Sequence, residues 1–307
     1  MSSHTDTLSA YRQPGLLKRI RRSWVPYSYI APFYILFMIF MAFPIVFSLY
    51  LSVQHWDGLS PMRFIGFDNF TRLAGDPMFW RALNNTLFIG IVSHIPMLLF
   101  ALVVAFILDS GFIRSQHLYR TIYFMPVVVS SVAISIVFSN IFGLRTGIIN
   151  LFVVMLGGQR INFLGGQGEW IRLVIMTIFI WRWLGWNMVI YLAGLQSIPG
   201  ELYESARIDG ASWPQVLFRI SLPMIRPIVL FSLVLSVVGT FTLFDEPFVV
   251  AGVEGGPNRM GLSLMVLLYR NAFRYSRFGY AAAIALVMTV MTVIVALMNA
   301  KLFGKKD

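Results

Sequence analysis

The chain alternates long apolar runs with short polar ones. No Asp, Glu, Lys or Arg occurs in residues 25–56, 82–108, 121–144 or 278–300, and residues 171–195 and 225–250 are apolar with only a few charges. Each run meets the length of about 20 residues that a helix needs to cross a hydrocarbon core. Six transmembrane helices are therefore predicted, in an all-α integral membrane protein. Pro44 is expected to kink the first, and Tyr123-Phe124-Met125-Pro126 opens the third. The apolar runs 146–159 and 260–269 are too short to span, and read as surface or re-entrant segments on the outer side.

One polar interruption, residues 196–227, itself has the pattern of folded helices. Good helix formers run from Glu201 to Asp209 after Pro199-Gly200, and Gly210 stands where a helix ends in a left-handed cap. Ser212 and Gln215 have capping-box spacing, with Pro214 in the first turn where no N–H is needed. Trp213, Val216, Leu217 and Ile220 then share one face, and Pro223 and Pro227 close the unit. This pattern describes an amphipathic helix–turn–helix at a membrane surface. Pattern alone leaves open whether it rests on lipid headgroups or on a partner.

Composition reinforces the membrane reading. Of 307 residues 58% are hydrophobic and 12% charged, and the mean hydropathy of +0.75 excludes a water-soluble domain. The net charge of +11 does not indicate nucleic acid, because Lys and Arg lie mostly at the ends of apolar runs. Lys18, Arg19, Arg21 and Arg22 precede the first span, Arg114 and Arg120 mark the turn after the second, and Lys301, Lys305 and Lys306 follow the last. The positive-inside rule then puts both termini in the cytoplasm, residues 57–81 outside, and residues 196–227 inside. The expected organisation is a cytoplasmic tail 1–24, a first helix 25–56, a core 57–303 and a short tail 304–307.

Candidate chemistry is sparse. There is no cysteine and no G-x-x-x-x-G-K-[ST] phosphate loop, and His4, His55, His94 and His117 lack metal-ligand spacing. No enzyme activity and no metal site are expected. Arg182 in the fourth span, and Asp245 and Glu246 late in the fifth, are costly inside a membrane unless they face protein or water. They read equally as an intramembrane ion pair that serves assembly and as the border of a polar path.

Glu204-Ser205-Ala206, Gly210 six residues after the Glu, and Ile220-Ser221-Leu222-Pro223 resemble the EAA loop of binding-protein-dependent ABC importer permeases. Ser205 departs from the Ala usual there, small for small. Trp183 to Pro199 and Gly255-Gly256-Pro257 resemble the sugar branch of that family, the maltose-type and glycerol-phosphate-type subunits; the likeness covers roughly residues 64–303. The resemblance implies a type I importer permease fold with a cytoplasmic coupling helix, in a bacterial inner membrane. Glu204, Ser205, Ala206, Asp209, Gly210, Trp213 and Leu217 would meet the ATPase. Leu184, Gly185, Trp186, Asn187, Gly239, Thr242, Phe244, Asp245 and Glu246 would border the substrate path. Implied partners are a second, homologous permease, two copies of an ATPase that binds ATP and Mg, an extracytoplasmic solute-binding protein and a sugar. No cofactor is expected on this chain. Within transport, glycerol phosphate or a polyamine is the alternative solute; a membrane enzyme or scaffold would need a polar cluster that the sequence lacks.

Overall fold

The computed structural model describes residues 24–303 except 111, 112 and 114. The basic cluster Lys18, Arg19, Arg21 and Arg22, together with Arg114, Lys305 and Lys306, lies outside the described residues. The chain divides into two units, Met1–Tyr50 and Leu51–Asp307.

The first unit is helical from Trp24. α1 (Trp24–Phe37) passes through a π turn, Met38–Ala42, into α2 (Phe43–Ser52). The turn is a consequence of Pro44, whose ring would press on the carbonyl four residues back; widening the helix relieves it, and the Phe43 N–H reaches the Met38 carbonyl instead. Tyr29, Phe33, Phe40 and Ile45 are exposed apolar side chains, as on a helix that faces lipid.

In the second unit a short hairpin of β1 (Gln54–His55) and β2 (Arg63–Phe64) precedes α3 (Asp68–Ala74). The first span therefore ends four residues short of the expected position 56, the last residues being taken by the hairpin. α4 (Pro77–Asp109) is a single helix of 33 residues. It starts earlier than the expected residue 82, because Pro77 occupies the first turn and the Asp76 carboxylate accepts from the Met78 N–H at 2.8 Å. Pro96 sits inside it and leaves the Val92 carbonyl without its usual donor.

The third span is broken. α5 (Gln116–Val128) and α6 (Ser131–Ile141) meet at 96°. Pro126 removes a bond from the last turn of α5, and Val129 and Ser130 adopt extended ψ values of 147° and 125°. α7 (Ile148–Met155) follows, and α8 (Ile171–Leu195) crosses again. The connector forms α9 (Gly200–Ile208), α10 (Trp213–Val216), a π turn at Leu217–Ser221, and α11 (Leu222–Met224).

The fifth span is also interrupted, into α12 (Arg226–Phe241) and α13 (Asp245–Ala251). Pro247 fits only in the first turn of a helix, so the helix restarts just ahead of it. The Leu243 carbonyl freed by the break accepts from Ser263 Oγ at 2.7 Å, and Ser263 in turn caps α14 (Leu264–Tyr269). A π turn at Arg270–Arg274 leads to α15 (Phe278–Phe303).

Five helices among the described residues have the length and hydropathy of membrane spans, and the bent pair makes a sixth. α4 packs along α8, which also carries α5; α12 packs on α15 and α4. One core joins Leu102 and Phe106 of α4 and Tyr191 and Leu195 of α8 to Ala206, Val216 and Leu217 of the connector. Another joins Leu83 of α4 and Phe241 of α12 to Leu264, Leu267 and Ile284 at the other end.

Candidate functional site

Two regions hold the candidate residues. The first is the connector. Gly210 ends α9 at φ +72°, and the Ala211 N–H reaches back to the Ala206 carbonyl at 2.9 Å, the hydrogen bond of a left-handed helix stop. Ser212 and Gln215 form the capping box, with the Ser212 N–H donating to Gln215 Oε1 at 2.7 Å. Ala206, Val216 and Leu217 are buried against α4 and α8. Glu204, Ser205, Asp209 and Gly210 are exposed, and Trp213 is 56% exposed at the edge of the buried face, its ring 6.4 Å from that of Phe106 in α4. The π turn at Leu217–Ser221 stands before Pro223 as the earlier one stands before Pro44, with the Leu222 N–H bonded to the Leu217 carbonyl. Tyr203 lies 3.2 Å from Ser221 Oγ, and burial pushes its phenol above the usual range, so it stays neutral.

The second region is a cavity of about 520 Å³ between α8, α12 and α13. Phe179, Trp183, Trp186 and Phe244 supply aromatic walls, and Thr242, Arg182, Asp245 and Glu246 the polar edge. Arg182 Nη1 donates to Glu246 Oε1 at 3.0 Å, with Glu246 4% and Arg182 16% exposed at the side chain. The guanidinium also lies 5.2 Å over the Trp183 ring. Asp245 accepts a hydrogen bond from Ser131 Oγ at the head of α6, so α13 is tied to the bent third span. Both acids open the first turn of α13, where the helix dipole favours negative charge. Among the described residues no group of three or more His, Cys, Asp or Glu side chains converges as metal ligands do.

A smaller cavity of about 80 Å³ adjoins this one, lined by His94, Met97, Asn187 and Ser236 among others, and shares Trp183, Trp186 and Gly239 with it. Asn187 is buried and committed on both sides: its amide donates to the Trp183 carbonyl at 3.0 Å, and its oxygen accepts from Ser232 at 2.6 Å.

Leu184 and Gly185 stand apart from both cavities. Leu184 packs into the apolar clusters, and the Gly185 Cα abuts the Tyr123 carbonyl, so that an added Cβ would overlap it. Trp186, Gly239, Thr242, Phe244, Asp245 and Glu246 are brought together at the larger cavity. Trp183, which starts the segment that resembles the sugar branch, lines it too; so do Phe179, Leu235 and Val238, and Ser131 holds one of its acids, though none of these four was singled out from the sequence. Period 3.6 on α8 was an available signal, since Phe179, Arg182, Trp183 and Trp186 share one face. Ser131 carried none.

The sequence profile of the family described as "Binding-protein-dependent transport system inner membrane component" matches residues 86–304. The lactose transport system permease protein LacF of Rhizobium radiobacter is 37% identical over 275 residues, covering 88% of this chain and 91% of that protein. The arabinooligosaccharides transport system permease protein AraP of Bacillus subtilis (strain 168) is 33% identical, covering 91% and 88%. Among solved structures, a chain of a bacterial ABC transporter involved in the import of the acidic polysaccharide alginate superposes with a TM-score of 0.81 at 26% identity, covering 94% of this chain and 98% of that one. A second alginate transporter structure, in complex with an alginate pentasaccharide-bound periplasmic protein, gives 0.80.

Proposed function

Since the chain belongs to the family of binding-protein-dependent transport system inner membrane components, we propose that it is one of two unlike permease subunits of a bacterial ATP-driven sugar importer. The observation that carries the sugar reading is the cavity of about 520 Å³ beside α8, α12 and α13. Its aromatic walls suit the apolar CH faces of a sugar, and Thr242 with the two carboxylates suits the hydroxyls. Relatives named for lactose and arabinooligosaccharides support the same class.

In this reading a solute-binding protein delivers sugar at the outer face. Of two copies of a separate ATPase, which bind ATP and Mg, one docks on this connector through Glu204, Ser205, Asp209, Gly210 and Trp213, and the other on the second permease; Ala206, expected at that interface, is buried and with Leu217 anchors the connector to the bundle. Closure of the ATPases rocks this chain and a second, homologous permease between inward- and outward-open states, exposing the cavity to one side at a time. The chain itself hydrolyses nothing, and both its termini are cytoplasmic. Uptake of labelled mono-, di- and oligosaccharides and of glycerol phosphate, by cells with and without the gene, tests this. Loss confined to one sugar family is the expected result; loss of glycerol phosphate uptake alone, or of none, would overturn the sugar reading.

A further inference from the structure

α4 connects two ends of the molecule. Its C-terminal residues Phe106 and Asp109 border the connector at Tyr203 and Arg207, while its N-terminal residues Asp76 and Met78 border a separate cavity of about 370 Å³. At about 1.5 Å per residue the 33-residue helix puts the two roughly 50 Å apart. The far cavity is a notch between α3, the N-terminus of α4 and the segment 270–277. Arg72, Arg270 and Arg277 line it, with Asp76, Asn271, Tyr275 and Tyr280.

The notch carries unused positive charge. Asp76, the one carboxylate in its wall, is fully engaged: one oxygen accepts from the Met78 N–H at 2.8 Å, the other from the Tyr280 hydroxyl at 2.7 Å. Arg270 is buried at 2% exposure, and its Nε–H has no partner among the described residues, although Nη1 reaches Glu254 at 3.1 Å. Arg72 and Arg277 form no salt bridge among the described residues and are exposed. Stacking fixes all three: Arg72 lies 4.9 Å over Tyr280, and Arg277 and Arg270 lie 5.4 and 5.6 Å over Tyr275. Arg72 and Arg277, held in place by rings and not neutralised by acids, are preorganised for an incoming oxyanion, while Arg270 keeps Glu254 as its partner.

We propose that this notch receives an acidic side chain of the solute-binding protein, and that Arg72 and Arg277 are its charge-recognition residues. The proposal rests on the importer reading, which places the connector inside and the notch outside. A protein carboxylate matches the exposed, unpaired guanidiniums of Arg72 and Arg277 in charge and in the fork geometry of guanidinium–carboxylate pairs, and a lipid phosphate is the alternative that the test separates.

The test uses the whole transporter, with its second permease and ATPases, in lipid nanodiscs, titrated with its purified sugar-loaded binding protein while ATP hydrolysis is followed. The paired variant Arg72→Glu/Arg277→Glu avoids the buried Arg270 and is compared with Arg63→Glu, an exposed arginine outside the notch. The paired variant should raise the half-saturating concentration of binding protein about tenfold or more and weaken its salt dependence, with the rate at saturation kept. Arg63→Glu should change it less than twofold. An unchanged half-saturation in the paired variant, or an equal rise in Arg63→Glu, would overturn the proposal. So would a defect that appears only in nanodiscs containing phosphatidylglycerol, which would assign the notch to lipid. If the unmutated transporter shows no stimulation by any binding protein, the importer reading fails instead.

Discussion

The connector and the cavity make an instructive pair. In the connector the interactions that set the turn are short: Ser212 with Gln215 spans three positions, and Ala211 reaches back five to Ala206. In the cavity the specifying contacts are long, with Arg182 and Glu246 separated by 64 positions and Ser131 and Asp245 by 114. A local device is encoded where it acts, so it tolerates changes elsewhere in the chain. A contact between distant helices depends on how the helices meet, and on small residues that let them approach.

The largest effect should therefore come from the cavity side, at a residue that touches no cavity. Gly185→Ala would drive a methyl group into the Tyr123 backbone, which cannot rotate away as a side chain could. We expect a loss of about 3 kcal/mol, read as a lowered Tm and poor yield in detergent. Gly239→Ala, where an added Cβ meets nothing within 4 Å, should leave stability unchanged and sharpens the contrast.

Next comes the buried ion pair. Glu246→Gln leaves the Arg182 charge without its carboxylate but keeps a hydrogen-bond acceptor, and should cost about 2 kcal/mol while lowering sugar uptake. Arg182→Met/Glu246→Leu should be markedly more stable than either single change, so a double-mutant cycle with no coupling would show the pair to be incidental. Asp245→Asn should weaken the apparent affinity for sugar more than it weakens assembly. Unchanged assembly and affinity in both Asp245→Asn and Glu246→Gln would remove these acids from the sugar path.

In the connector the effects should be smaller in stability and larger in coupling. Gly210→Val forces a β-branched side chain to φ +72°, at a cost of about 1–3 kcal/mol. Its signature should be ATP hydrolysis that persists while uptake falls, measured together in proteoliposomes. Normal coupled uptake would contradict the docking role of this surface. Ser212→Ala, which deletes half of the capping box, should cost about 1 kcal/mol and leave coupling nearly intact.

The same contrast explains what the sequence made legible. Six spans follow from apolar length, and the stop at Gly210 and the start at Ser212 follow from local chemistry. Breaks inside spans were harder to see, because hydropathy is blind to them. Residues 121–144 and 225–250 are continuous as apolar runs, yet the structure bends the first by 96° and restarts the second at Asp245. Pro126 and Pro247 were the available signals. Arg182, Asp245 and Glu246 were visible as charges in apolar surroundings, and an ion pair of Arg182 with one of the acids was one of the two readings, but that the partner is Glu246 and not Asp245 depends on how α13 meets α8. The role of Gly185 as a contact point, distinct from a cavity wall, likewise depends on α5 lying against α8.

α4 has a mechanical consequence. A strut of 33 residues that lacks one hydrogen bond at Pro96 does not have uniform stiffness. Its compliance is concentrated near mid-length, within one turn of both Met97 and His94, which line the smaller cavity. If the connector takes the ATPase stroke as proposed, the load would be spent in flexing beside that cavity before it reached the arginine notch.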